Sequence, residues 1–178
     1  MSRYICSMVA LAVAAGCSSG SRVPGTPTPV PASDSSQSLG VVASATGGAH
    51  RVRPLPDGEL FVLSFTAQKR ADGSATGYAH VDRKDLDIAF DIDVTCLAVV
   101  DNVAWVGGII RNERGGVARN GAVSYFYVID NGEGDGGVPD RASAIRVNDV
   151  DGEDLVFCTD RPLVLPAADI ELGNLQVR

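Results

Sequence analysis

The chain has 178 residues, with 22 acidic against 15 basic side chains and a formal charge of −7. That length suits one domain with a real hydrophobic core. The acidic surface, poor in lysine (Lys69 and Lys84 only), excludes sequence-independent nucleic-acid binding and a polybasic grip on anionic lipid, and leaves cationic partners or divalent metal open.

Met1-Ser2-Arg3 precedes an apolar run, Tyr4 to Ala15, that ends in the small residues Ala14-Ala15-Gly16 before Cys17. A basic start, an apolar core of about a dozen residues and small residues at the end make the pattern of a secretory signal. The run is too short to span a bilayer, which takes roughly 20 apolar residues. Ala14-Ala15-Gly16-Cys17 resembles the lipobox of bacterial lipoproteins, with Ala14 where that family more often carries Leu. The resemblance implies that residues 1–16 are a signal peptide, that Cys17 becomes the acylated mature terminus, and that a membrane is its partner through the lipid. Ordinary cleavage nearby, giving a free secreted protein, is the alternative. Ser18 and Ser19 resemble outer-membrane sorting, where the organism has two membranes. The expected location is the extracytoplasmic cell envelope.

Residues 17–38 read as a disordered tether. The stretch is rich in Ser, Pro, Thr and Gly, with Pro24, Pro27, Pro29 and Pro31 at short spacing. It has too little apolar surface to offset the entropy of ordering. Extended at about 3.1 Å per residue, it reaches roughly 60 Å.

Residues 39–178 read as a single β-domain. Leu39–Thr46 is a candidate first strand. Glu59–Lys69 puts Phe61, Leu63, Phe65 and Ala67 on one side, and Asp72-Gly73 turns the chain into Ser74–Arg83. The clearest run is Leu86–Val94. Leu86, Ile88, Phe90, Ile92 and Val94 fall on one parity, and Asp87, Ala89, Asp91 and Asp93 on the other. Alternation with period two is the signature of a strand with one buried and one wet face. Cys96 shares the buried parity. Asn102–Arg111, Gly121–Asp130, Ala142–Val147, Leu155–Thr159 and Asp169–Val177 complete the series. No segment carries a capped apolar period of three to four residues, so long helices are not expected. Eight or nine short strands with Gly-rich turns predict an all-β fold, an antiparallel barrel or barrel-like sandwich, with the last strand near the first. An immunoglobulin-like sandwich is the alternative, but the spacing of Cys96, Trp105 and Cys158 fits it poorly.

Cysteine counting agrees with export. On the lipobox resemblance Cys6 leaves with the leader and Cys17 carries lipid, which leaves Cys96 and Cys158 as an even pair. In an oxidising compartment they are expected to form a disulfide.

Several groups could carry chemistry. Asp85, Asp87, Asp91 and Asp93 line one strand face, where alternate residues are roughly 7 Å apart, too far to share one ion unaided. They read as a solvated face. Asp130, Glu133, Asp135 and Asp140, separated by glycines, are candidate calcium ligands, and Asn148 to Asp154 is a second such loop. Neither has the full acidic spacing of an EF-hand, and polar turns use the same residues. No other cofactor is implied. Gly16-Cys17-Ser18-Ser19-Gly20 matches a nucleophile elbow only formally, since it straddles the cleavage site and lacks strand–turn–helix context. His50 and His80 are the available imidazole bases, each read as a surface or strand residue rather than a catalytic one. Tyr125, Phe126 and Tyr127 put large residues on both faces of one strand, which implies that both are buried or that one faces a ligand or partner.

Three stretches resemble a group of uncharacterised bacterial secreted and lipid-anchored β-domains: Phe65–Ser74, Val128–Gly134 with Pro139-Asp140, and Ile170–Val177. The resemblance implies architecture and location, not chemistry. The leading expectation is a lipid-anchored extracytoplasmic domain that binds or scaffolds, with no catalytic residues assigned. The alternatives are a carboxylate-dependent hydrolase of envelope carbohydrate and a calcium-dependent adhesion module. A buried carboxylate pair in a cleft favours the hydrolase. A filled barrel favours surface binding, and a hollow one favours a small apolar ligand.

Overall fold

The computed structural model describes residues 40–52, 60–84, 86–116, 120–132 and 137–178. The expected leader and tether, Cys17, Asp85, Glu133 and Asp135 lie outside them.

Among the described residues, ten strands form one antiparallel sheet: β1 (Val41–Val52), β2 (Leu60–Arg70), β3 (Ala75–Arg83), β4 (Ile88–Val100), β5 (Val103–Arg114), β6 (Val123–Ile129), β7 (Arg141–Ser143), β8 (Arg146–Asn148), β9 (Ala167–Asp169) and β10 (Leu172–Val177). The spatial order is β10-β1-β2-β3-β4-β5-β6-β7-β9, with β8 paired separately to β6. The sheet curls into a barrel-like fold whose first and last members, β10 and β9, are consecutive in the chain. The C-terminal strand pairs with β1, as the sequence led us to expect. The β2–β3 turn is the predicted one. Gly73 takes φ +87°, and one Asp72 carboxylate oxygen accepts from both the Ser74 amide and its hydroxyl.

The strand parities built the interior. Leu63, Phe65 and Ala67 of β2, Ala79 and Val81 of β3, and Ile88, Phe90, Ile92 and Val94 of β4 all point inward. Phe126 is fully buried, and its ring meets that of Phe65 edge-on with centroids 5.5 Å apart. Side chains of this kind stabilise by about 1.5–3 kcal/mol each.

Four expectations are corrected. Leu155–Thr159 is not a strand but the middle of a helix, α1 (Glu153–Asp160). Its start has no side-chain cap, though Glu153 and Asp154 complement the helix dipole, and it ends on Arg161 in the left-handed region. Ala142–Val147 is two strands, β7 and β8, each three residues long. Leu86 lies in the turn before β4 and is exposed. Cys96, finally, does not face the interior. The β4–β5 register passes from Val94↔Gly108 to Cys96↔Gly107, a bulge that leaves Thr95 as an extra residue. Beyond it the parity inverts: Leu97 points inward, while Cys96 and Ala98 face out.

That outer face is where α1 docks. Cys96, Trp105, Val123, Tyr125 and Tyr127 form a second apolar cluster with Phe157 and Cys158 of the helix. Tyr125 and Phe157 stack with centroids 4.5 Å apart. Both faces of β6 are therefore buried, the first of the two readings of its aromatic run. The polar ends of the aromatics are satisfied locally, with Trp105 Nε1 donating to Pro162 O (3.0 Å) and the Tyr127 hydroxyl to Leu165 O (2.8 Å). Gly107 lets the helix approach, since a Cβ there would lie 2.8 Å from Asp154 Cβ. The expected disulfide joins Cys96 to Cys158 and fastens α1 to the sheet.

Candidate functional site

The helix covers the outer face only where β4, β5 and β6 carry apolar residues. On β3 and the first half of β4, the outward positions include Tyr78, His80, Asp91 and Asp93, and here a polar cluster forms. His80 Nδ1 lies 2.7 Å from Asp91 Oδ1. The Tyr78 hydroxyl donates to the same oxygen at 2.5 Å, and Asn112 Nδ2 donates to Asp91 Oδ2 at 2.8 Å. Arg111 Nε donates to Asp93 Oδ2 at 3.2 Å.

Strand register creates this convergence. Asp91 is the β4 partner of His80, and Asp93 that of Tyr78. Asn112 reaches Asp91 from a second bulge, where the β4–β5 pairing skips from Asp91↔Arg111 to Ala89↔Arg114. It sits at φ +50°, a left-handed conformation that Asn enters more readily than other residues with a Cβ.

The electrostatics follow from the geometry. Burial acts to raise the pKa of Asp91, but the bonds from Tyr78, His80 and Asn112 outweigh it, and the carboxyl stays below the usual 3.8. Tyr78 is pushed up to about 12 by its bond to Asp91, then by burial and the Asp91 and Asp93 charges. A carboxylate on Nδ1 holds the His80 proton on that nitrogen and leaves Nε2 as the basic one. The His80 side chain is 40% exposed and that of Asp91 14%, so the ring is open to solvent while its anchor is not.

The other sequence candidates are placed differently. His50 is exposed on β1. Asp87 lies in the turn before β4, where its exposed carboxylate pairs with Arg114. Of the calcium candidates, Asp130 and Asp140 are described, and all four of their carboxylate oxygens accept backbone amides. Asp130 takes those of Gly132 and Val177, and Asp140 those of Asn131 and Leu175, at 2.8–3.0 Å. They bind the outer edge of β10 to the segment between β6 and β7, standing in for a missing ladder. In the second acidic loop, Asn148 donates to Glu153, and Asp154 is buried beneath α1 accepting from the Thr95 hydroxyl. Among the described residues, Asp154 is the one fully buried carboxylate, and no three His, Cys, Asp or Glu side chains form a metal-ligand group.

Sequence reasoning missed Asn112, and it read Asp91 as one of a solvated row. The available signal was Tyr78 and His80 on one parity of β3, but only the register reveals what lies opposite them. No family model, curated protein or solved structure matches this chain.

Proposed function

We propose that the chain is a lipid-anchored extracytoplasmic β-domain that works by binding through its outer surface. The observation that carries this reading is the filled interior. Phe126, Leu63, Ile92, Ile110 and Val106 occupy it at 0% exposure, and Phe65 at 5%. A barrel packed in this way offers its surface rather than its lumen. The distribution of carboxylates points the same way. Glycoside hydrolysis needs two facing acids, and Asp154 has a hydroxyl partner instead. The Cys96–Cys158 cross-link suits an oxidising compartment, and the Ala14–Cys17 motif supplies the anchor.

The test is the mature full-length chain in its native host. Membranes are extracted with detergent, and intact mass and the N-terminal peptide are read. The expected result is a terminus at Cys17 carrying acyl chains, lost together with membrane association in Cys17→Ala. A mature chain without lipid, or one recovered reduced from the cytosol, overturns the proposal.

A further inference from the structure

A row of aligned residues crosses the part of the sheet that α1 leaves open. Gly48 of β1 is in register with Ser64 of β2, Ser64 with His80 of β3, and His80 with Asp91 of β4. Their chain neighbours Ala49, Leu63, Phe65, Ala79, Val81, Phe90 and Ile92 belong to the interior, so alternation places the row on the outer face. Cross-strand neighbours on one face have Cβ atoms about 5 Å apart. Ser64 is exposed. On its far side Gly48 presents no side chain, and a Cβ built there would meet nothing nearer than Leu63 O at 3.9 Å. A reactant can therefore approach the Ser64 hydroxyl from the side opposite His80.

From this alignment we infer that Ser64, His80 and Asp91 form a nucleophilic site that accepts acyl groups from carboxylic esters, a chemistry beyond the binding role proposed above. His80 carries the Nδ1–Asp91 bond that a serine nucleophile's base requires, and Asp91 is fixed in turn by Tyr78 and Asn112. In the first step, Ser64 Oγ bonds to the ester carbonyl carbon while its proton passes to His80 Nε2. The ester C–O bond then breaks, and the alcohol leaves with that proton. Water attacks the acyl-serine, giving a proton to Nε2. The carboxylic acid departs, and Ser64 Oγ is reprotonated. Asp91 is a positioning residue that stabilises the imidazolium. The strand amides on either side are spent in ladders, so the tetrahedral oxygen lacks a ready pair of backbone donors. One such donor is worth about 100–1,000-fold in rate, which confines turnover to esters with good leaving groups.

The full chain is treated with a fluorophosphonate probe and digested for peptide mapping, and p-nitrophenyl acetate hydrolysis is followed in parallel. Adduct formation on Ser64 is expected, with its rate falling on the order of 100-fold in His80→Gln. Ser64→Ala should reduce ester turnover to the rate without protein. Asp91→Asn should lower kcat at least about tenfold with KM unchanged, as a positioning role demands. Unchanged far-ultraviolet circular dichroism in each variant shows that the strands are kept, and unchanged Trp105 emission that the helix stays docked. Failure of the probe to modify Ser64, modification as fast in His80→Gln as in wild type, or turnover that survives Ser64→Ala each overturns the site. None of these outcomes bears on the anchor, which is read from the mass of the mature terminus.

Discussion

Replacing Cys96 and Cys158 together with alanine tests how α1 is held. The cross-link spans 62 residues of chain. In the chain-entropy treatment, a loop of that length restricts the unfolded ensemble by about 4 kcal/mol. With a urea dependence of about 2 kcal/mol per molar, typical for a domain of this size, the midpoint should fall by about 2 M. The structure adds a local consequence. The helix has eight residues and no side-chain cap, so by itself it is too short to persist. Without the cross-link, the contacts of Phe157 with Tyr125 and its neighbours and the bond from the Thr95 hydroxyl to Asp154 are left to keep it on the sheet. Trp105 is the sole tryptophan and lies 5% exposed in that cluster, with its indole bonded to Pro162 just beyond the helix. Its emission therefore reports helix docking, whereas far-ultraviolet circular dichroism reports the strands. In the wild type the two transitions should coincide. In the double variant the red shift of Trp105 should precede strand loss, because the helix leaves first. A midpoint lowered by less than about 0.5 M, with the two probes still superimposed, refutes the view that the disulfide is the main fastening.

Asp140→Ala removes the acceptors of the Asn131 and Leu175 amides. The expected cost is about 2 kcal/mol, that of one or two charge-assisted hydrogen bonds at a half-exposed site. Amide exchange at Leu175 should accelerate with the seam, and protection equal to wild type excludes the latch. Tyr78 offers a test in alkali. Its folded pKa of about 12 stands above the ordinary tyrosine value of 10.0, so the neutral phenol is favoured, and its contribution is complete below pH 10 and lost as pH rises through 12. The stability gap between wild type and Tyr78→Phe, measured by urea unfolding, should close over that interval, and a gap that stays constant denies the Asp91 bond its role.

What the sequence disclosed, and what it concealed, divides along physical lines. Period-two alternation reports which face of a strand is apolar, and it placed Leu63, Phe65, Phe90, Ile92 and Val94 correctly because hydrophobic burial alone decides those positions. The same rule failed at Cys96, two residues further on. The bulge at Thr95 inverts the parity, and nothing in Val94-Thr95-Cys96-Leu97 marks it, since every residue there suits a strand. The helix was hidden for a related reason. Leu155 and Val156 look like half of a strand, yet both are more than half exposed; α1 is held by Phe157, Cys158 and the cross-link rather than by an apolar stripe.

The polar cluster shows the limit most clearly. Tyr78 and His80 lie on one strand, Asp91 on the next and Asn112 on the one after, and they meet only because two registers and a bulge align them. Register is a property of strand pairs, set by the global match of apolar faces, so a local window carries no trace of it. The same bulge that breaks the alternation of β5 lets Asn112 reach Asp91. Restoring regular pairing there, by deleting the extra residue, should realign β5 and remove the Asn112 bond while leaving the His80–Asp91 pair, which depends on the β3–β4 register alone. The irregularities that make this chain hard to read are thus the features that distinguish its exposed polar face from an ordinary solvated strand.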